Sequence, residues 1–215
     1  MQDWIKKLFV DPGMVGMGHD QSQNDLNLGL GWIYYGLART IRPKTVVVIG
    51  SYRGFVPLVL GKALQDNGQG EVIFIDPSMV DDFWKCPDCV KAHFAAHEVR
   101  NIRHHLCTTQ DFVNTEAYRS LGEVGLLYVD GYHTAEFAKF DHEAFADKMA
   151  PNGVVLFHDS VRERVTRIYG DDRPYTHTVC QYMDELRANP KFEVLSFGEG
   201  DGLTLVKKAS GPGAA

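Results

Sequence analysis

Two short clusters of acids and histidines, Asp130-Gly131-Tyr132-His133 and His158-Asp159, each follow an apolar run in this chain of 215 residues. A carboxylate beside an imidazole can take a proton from a hydroxyl, and the ordinary histidine pKa suits that work near neutral pH. Asp130, His133 and His158 are therefore the catalytic candidates. Asp130, His158 and Asp159 also have the donor types for a divalent cation, which would lower the pKa of a hydroxyl instead. Oxygen donors suit magnesium or manganese, whereas His158 favours a softer ion or base catalysis. The bland alternative is that His158 packs at a strand end and Asp159 caps the next segment.

A second group of residues could admit a ligand to the backbone. In VVVIGSYRGF, residues 46–55, an apolar strand runs into Gly50-Ser51-Tyr52-Arg53-Gly54. The dinucleotide fingerprint would place a glycine where Tyr52 stands, and no Gly-Lys-Ser/Thr of a phosphate loop is present. Neither a pyrophosphate nor a triphosphate suits this loop.

Cys86-Pro87-Asp88-Cys89, followed by His93 and His97, raises the question of zinc. On a helix over 88–98, Cys89 and His97 would stand about 12 Å apart along the axis, too far to share one ion. That argues against a four-ligand site but leaves a two-ligand one through His93 and His97. The Cys-x-x-Cys also lacks the strand-to-helix setting of a redox motif. Phe83 and Trp84 could floor a substrate pocket or be local core, and Tyr34, Tyr35 and the Gly18-His19-Asp20 loop could close over it.

These residues need elements to hold them. Leu26, Leu30, Ile33, Tyr34, Leu37, Ala38 and Ile41 recur at helical spacing, predicting a helix over 25–41. Strands are expected over 45–49, 71–75, 102–107, 124–129 and 154–157. Helices are expected over 55–65, 88–98, 112–121, 136–149 (with Phe137, Phe140, Ala144 and Phe145 on one side) and 179–188. The final runs, 192–197 and 203–207, are joined by Gly-Glu-Gly-Asp-Gly, too short for a helical crossover, so they must be antiparallel. Alternating strands and helices predict a doubly wound α/β sheet of seven strands, mostly parallel with an antiparallel C-terminal hairpin strand. Such sheets bind ligands at the carboxyl ends of their strands. Asp76, Thr109, Gln110, Asp111, Asp130 and His158-Asp159 all fall there.

Composition narrows the function classes. The net charge of −6 argues against a nucleic-acid partner, and the arginines at 100–103 and 162–167 read as solvated faces. No stretch approaches a transmembrane span, so no membrane partner is expected. Four cysteines without a secretory segment point to a reducing compartment, with the cytoplasm as the default. The expected divisions are an N-terminal extension or lid over 1–24, a catalytic domain over 25–208 and a disordered tail over 209–215.

In order, VVVIGSYRG, VIFIDPS, VGLLYVDGYHTAEFAKFD, MAPNGVVLFHDS and the closing hairpin resemble the class I S-adenosylmethionine-dependent methyltransferases. The likeness is to small-molecule O-methyltransferases of the family 24 type and to cephalosporin-hydroxylase-like relatives, and covers roughly residues 25 to 207. It implies a Rossmann-like fold, S-adenosylmethionine as cofactor and a small-molecule acceptor, with a divalent cation such as magnesium or manganese as an option and a homo-oligomer admitted. Gly50, Ser51, Tyr52 and Gly54 would lie against the methionine and ribose portions, and Asp76 would accept from the ribose hydroxyls. Thr109, Gln110 and Asp111 would sit near the adenine, and Asp130 beside the sulfonium. Many members carry an acid at the position of Val48 that helps hold the amino-acid end. Asp130 or Asp20 would have to substitute for it, unless Val48 simply extends the core. Two rivals remain at this level: a binding or regulatory protein that keeps the fold without catalysis, and a nucleotide-dependent oxidoreductase, which the glycine spacing disfavours.

Overall fold

The computed structural model describes residues 1–209 of the chain. Its first strand, β1 (Thr45–Ile49), is buried along its whole length, as β-branched residues covered on both faces should be. Before it stand α1 (Gln2–Leu8) and α2 (Gly31–Ile41); after it come α3 (Phe55–Asp66), β2 (Glu71–Ile75), α4 (Pro87–Ala96) and β3 (Ile102–His105). Next are α5 (Thr109–Phe112), α6 (Glu116–Arg119), β4 (Val124–Val129), α7 (Ala135–Phe145) and β5 (Met149–His158). The chain closes with β6 (Arg164–Thr166), β7 (Tyr175–His177), α8 (Val179–Ala188), β8 (Phe192–Phe197) and β9 (Leu203–Lys208).

Seven strands form one sheet in the order β3-β2-β1-β4-β5-β9-β8. All neighbours are parallel except that β9 runs antiparallel to both β5 and β8. Chain order reverses between β1 and β4, and that crevice is where open sheets of this kind take ligands. Alternate residues face opposite cores. Val46, Val48, Phe74, Leu126 and Tyr128 pack with α1, α2 and α3 on one side. Val47, Ile49, Ile75, Leu127 and Val129 pack with α7 and α8 on the other. Val48 is wholly buried in the first of these cores.

Several boundaries differ from the periodicity. The helix predicted over 25–41 begins only at Gly31, because Leu26 and Gly29 take left-handed φ values of 58° and 55° and Ser22 bridges Asn27. The helix expected over 112–121 is two short helices, each opened by a threonine side chain, Thr108 and Thr115, that accepts a backbone N–H. Helix α7 stops at Phe145 because Met149 already pairs with Val124 as the start of β5. Its buried residues are Ala138, Asp141, His142 and Phe145, so Phe137 and Phe140 stand on the rim instead of in the core. Helix α1 and the β6–β7 hairpin were not legible as elements, being short and without clear alternation.

Where the cysteine count points to a reducing compartment, Cys86 and Cys89 are joined in a disulfide, while Cys107 and Cys180 are free. Trp84 is core, stacked on Phe94 and edge-on to Phe74. No helix among the described residues is long and apolar enough to cross a membrane. The expected disordered tail, 209–215, lies outside the described residues beyond Ala209.

Candidate active site

A cavity of about 640 Å³ opens at the carboxyl ends of β1, β2 and β4. Its floor begins where β1 stops. Gly50 has φ 73°, and a Cβ there would stand 2.2 Å from the carbonyl oxygen of Asp130. Only glycine lets the two loops after β1 and β4 approach so closely. Across the loop, Asp76 ends β2 and accepts from the Ser51 N–H at Oδ2 (3.1 Å) and from the Ser78 N–H at Oδ1 (2.7 Å). Burial pushes its carboxyl up, while those two amides pull it down. Each oxygen retains acceptor capacity, and Asp76 lines the cavity. Tyr52 lies under the Arg53 guanidinium at 3.8 Å, and Arg53 pairs with Asp81 at 2.6 Å, so the loop is held from outside.

Thr109 and Gln110 line the same cavity at the start of α5, but Asp111 does not; its carboxylate accepts from the Thr108 hydroxyl at 2.8 Å. The acid beside Thr109 is instead Asp141 of α7, which also lines the cavity. Burial raises its carboxyl to about 7, partly offset by a hydrogen bond with Thr109. A charged side chain on the apolar face of an amphipathic helix was the signal in the sequence that could have singled it out.

Around Asp130 the sheet brings together every acid and histidine of the two sequence clusters. Asp130 Oδ1 accepts from His133 Nε2 at 3.0 Å and from His158 Nδ1 at 3.1 Å. His158 Nε2 faces the Gly18 carbonyl at 3.3 Å. A carboxylate and a carbonyl can only accept, so both nitrogens of His158 must carry protons and the ring is an imidazolium. Burial works against that charge, but Asp130 and Asp159 overcome it and raise the ring to about 9. Burial likewise opposes the charge of Asp130, and His158 with His133 holds it well below the carboxylate range. His19 lies against His158 with ring centres 4.4 Å apart and planes tilted by 37°; burial and the adjacent positive ring lower it to about 3.

His133 is placed differently. Its Nε2 donates to Asp130, so in the neutral ring Nδ1 holds the lone pair, 2.9 Å from the Tyr175 hydroxyl. Burial first, and the neighbouring Tyr169 and Tyr132 next, keep Tyr175 protonated far above the ordinary phenol pKa. Asp159 Oδ2 receives Arg164 Nη2 at 2.8 Å and stands 3.4 Å from His133 Nε2. Burial pushes the Asp159 carboxyl up, but His177 and His158 bring it below the ordinary value. His177 Nδ1 is 2.9 Å from that oxygen but off the line of a hydrogen bond, and its Nε2 and Asp159 Oδ1 are buried without partners.

Arg164, His177 and Tyr175 come from the β6–β7 hairpin, and the sequence did not reveal them. Arg164 is no solvated face: it bridges Asp159 and Asp201, the latter at 3.1 Å. Of the closing residues expected from the N-terminal side, Gly18 and His19 line the cavity, Tyr34 is core bonded to Tyr128, and Tyr35 bonds Asp66 on the outside. Phe83 and Trp84 do not line the cavity, whereas Met79 and Val80 do.

Comparison with known proteins agrees with this architecture. The O-methyltransferase TomG of Streptomyces achromogenes, involved in tomaymycin synthesis and solved with SAM, superposes with a TM-score of 0.65 at 15% identity over 98% of this chain and 91% of its own. An O-methyltransferase from Bacillus cereus, solved with SAH, gives 0.67 at 14% identity, covering 97% of this chain and 92% of that one. An uncharacterized protein, y4gI, of Sinorhizobium fredii is 29% identical over 168 residues, 73% of this chain, which spans only 17% of that protein's length. The family 24 model described as a methyltransferase domain matches residues 47–160, from β1 through the acid–histidine centre, more than half of the chain. The chain belongs to this methyltransferase family.

Proposed function

We propose that the chain transfers a methyl group from S-adenosylmethionine to a hydroxyl oxygen of a small-molecule acceptor. The observation that carries this is one cavity with Asp76 and the bare Gly50 loop on one side and the Asp130–His133 pair on the other. The residues suit the cofactor. Asp76 keeps acceptor capacity on both oxygens for a pair of ribose hydroxyls, and Gly50, packed where a side chain would collide with Asp130, leaves bare backbone in the cavity wall. Thr109, Gln110 and Asp141 offer polar partners at the far end for a base.

When bound, S-adenosylmethionine would supply an activated sulfonium methyl for transfer to the acceptor oxygen, with S-adenosylhomocysteine as the other product and the hydroxyl proton left for the protein to take. His133 takes that proton at Nδ1, directly or through the Tyr175 hydroxyl that donates to it. Asp130 holds the required tautomer and stabilises the cation that forms, as a carboxylate does behind any catalytic imidazole. His158, already protonated, cannot be the base; it fixes Asp130 instead. Tyr132, Phe137, Ile168, Tyr169, Met79 and Val80 line the same cavity, which suits an acceptor with a planar, apolar body.

A second reading has a divalent cation at Asp130, His158 and Asp159. One donor atom from each lies within 4.8 Å of the others, and Asp159 Oδ1 lacks a partner. We favour the base because the His158 imidazolium and Arg164 already balance the two carboxylates. The test is calorimetric titration of S-adenosylmethionine into metal-free protein, repeated with magnesium and manganese, then turnover over a panel of phenols and alcohols read as S-adenosylhomocysteine released. Binding near one per chain with metal-independent turnover is expected. Turnover only with a cation would select the second reading, and binding without turnover a non-catalytic protein. No binding at all would remove the proposal.

A further inference from the structure

We infer that Asp11, His93 and His97 form a second metal site, for a zinc-like divalent transition ion, outside the acid–histidine centre. One donor atom from each of the three lies within 4.8 Å of the others. Two imidazoles and a carboxylate are the ligand types of zinc and its neighbours rather than of magnesium. Donors around one ion with bonds of about 2.0–2.1 Å stand roughly 3.3 Å apart, so side-chain adjustments of about an ångström would close the set.

Local structure prepares each ligand. His93 and His97 are one helical turn apart and share a face at the end of α4, their ring centres 5.1 Å apart. His93 Nε2 lies 3.0 Å from the Arg53 carbonyl, which can only accept, so the neutral ring carries its lone pair on Nδ1. A backbone carbonyl that fixes the tautomer is the usual support of a ligating histidine. His97 Nε2 is 3.6 Å from Asp11 Oδ2, while Asp11 Oδ1 is engaged by the Gly13 N–H at 2.8 Å. One carboxylate oxygen is thus anchored and the other faces the rings.

The site also resolves the Cys-His run. Cys86 and Cys89 are tied to each other and are not ligands; the third donor arrives from the N-terminal segment, far away in sequence. An ion there would clasp residues 11–13 to α4, next to the stretch that supplies Gly13, Gly16, Met17, Gly18 and His19 to the cavity wall. It would also bear, through His93, on the carbonyl of Arg53 in the Gly50–Gly54 loop.

The experiment is titration of zinc into untagged, metal-free protein, followed by calorimetry and by histidine side-chain NMR. The comparison proteins are a D11N/H93Q double variant, which preserves the Gly13 cap and the donor to Arg53, and D130N. Expected are one zinc per chain with shifts of His93 and His97 in wild type, affinity at least about a hundredfold weaker in D11N/H93Q, given that outer-shell partners alone carry about 10–100-fold, and retention in D130N. Shifts confined to His133, His158 and His177, unchanged binding by D11N/H93Q, or no zinc bound in wild type would each overturn the inference. The NMR readout uses wild type alone and stands whether or not the variant folds.

Discussion

At the level of single residues the two histidines of the centre stand in different surroundings. Both contact the same oxygen of Asp130, yet His158 has only acceptors around it and His133 has a phenol. Replacing His133 with glutamine is expected to lower kcat by about 10²–10⁴-fold, the usual worth of a general base, with little change in KM for the methyl donor. Steady-state kinetics with both substrates varied checks this. His158 makes a separate prediction about stability. Its folded pKa, about 9, lies above the 6.5 of an unfolded histidine. Its contribution is therefore complete below pH 6.5 and lost as pH rises through 9, an effect on the order of 3 kcal/mol. Urea unfolding of metal-free protein at pH 6 and pH 9.5 should show that fall, and H158Q should largely lack it. An equal fall in H158Q would assign it to other groups.

Elements position these side chains by meeting, and two of the meetings are testable. The loops after β1 and β4 touch at Gly50, where a Cβ would stand 2.2 Å from the Asp130 carbonyl at a φ of 73°. Gly50→Ala should cost about 1–3 kcal/mol of stability and displace Asp130, so that cofactor affinity falls together with turnover. Thermal unfolding beside calorimetry separates the two effects. The β6–β7 hairpin is held to the sheet by Arg164, which reaches both Asp159 and Asp201. Arg164→Gln removes a charge-assisted hydrogen bond to Asp159 and an ion pair with Asp201 on a half-buried side chain and should destabilise by about 1.5 kcal/mol. Faster hydrogen exchange confined to residues 164–177 would mark the loss as local to the hairpin, and an unchanged exchange map would show that Arg164 does not anchor it.

For the molecule as a whole, the cavity opens at the carboxyl ends of β1, β2 and β4, strands buried along nearly their whole length. S-adenosylhomocysteine at 100 times its Kd should stabilise the fold by about 2.7 kcal/mol. For a domain of this size that raises Tm by about 5–10 °C. Exchange protection should concentrate in the loops after β1, β2 and β4, all of which line the cavity. Protection of the outer helices alone would place the ligand elsewhere.

Residue patterns alone determined the sheet and which loop ends carry polar side chains, because buried parallel strands must be continuous apolar runs and their carboxyl ends must stop at glycine or an acid. They also brought Asp130, His133, His158 and Asp159 to one edge, since each lies at or just beyond the end of a legible strand. What they left open depended on partners distant along the chain. That His158 is charged follows from the Gly18 carbonyl opposite it; that Asp111 turns away from the cavity follows from Thr108; that Asp141 turns in follows from the rotation of α7 against the sheet. Arg164, Tyr175 and His177 ride on strands of three residues, too short to show a period. Asp11 meets His93 and His97 only because α1 and the turn after it fold back onto α4. Local periodicity records which face of an element is buried, whereas the charge and tautomer of a side chain are set by whatever the tertiary fold places across from it.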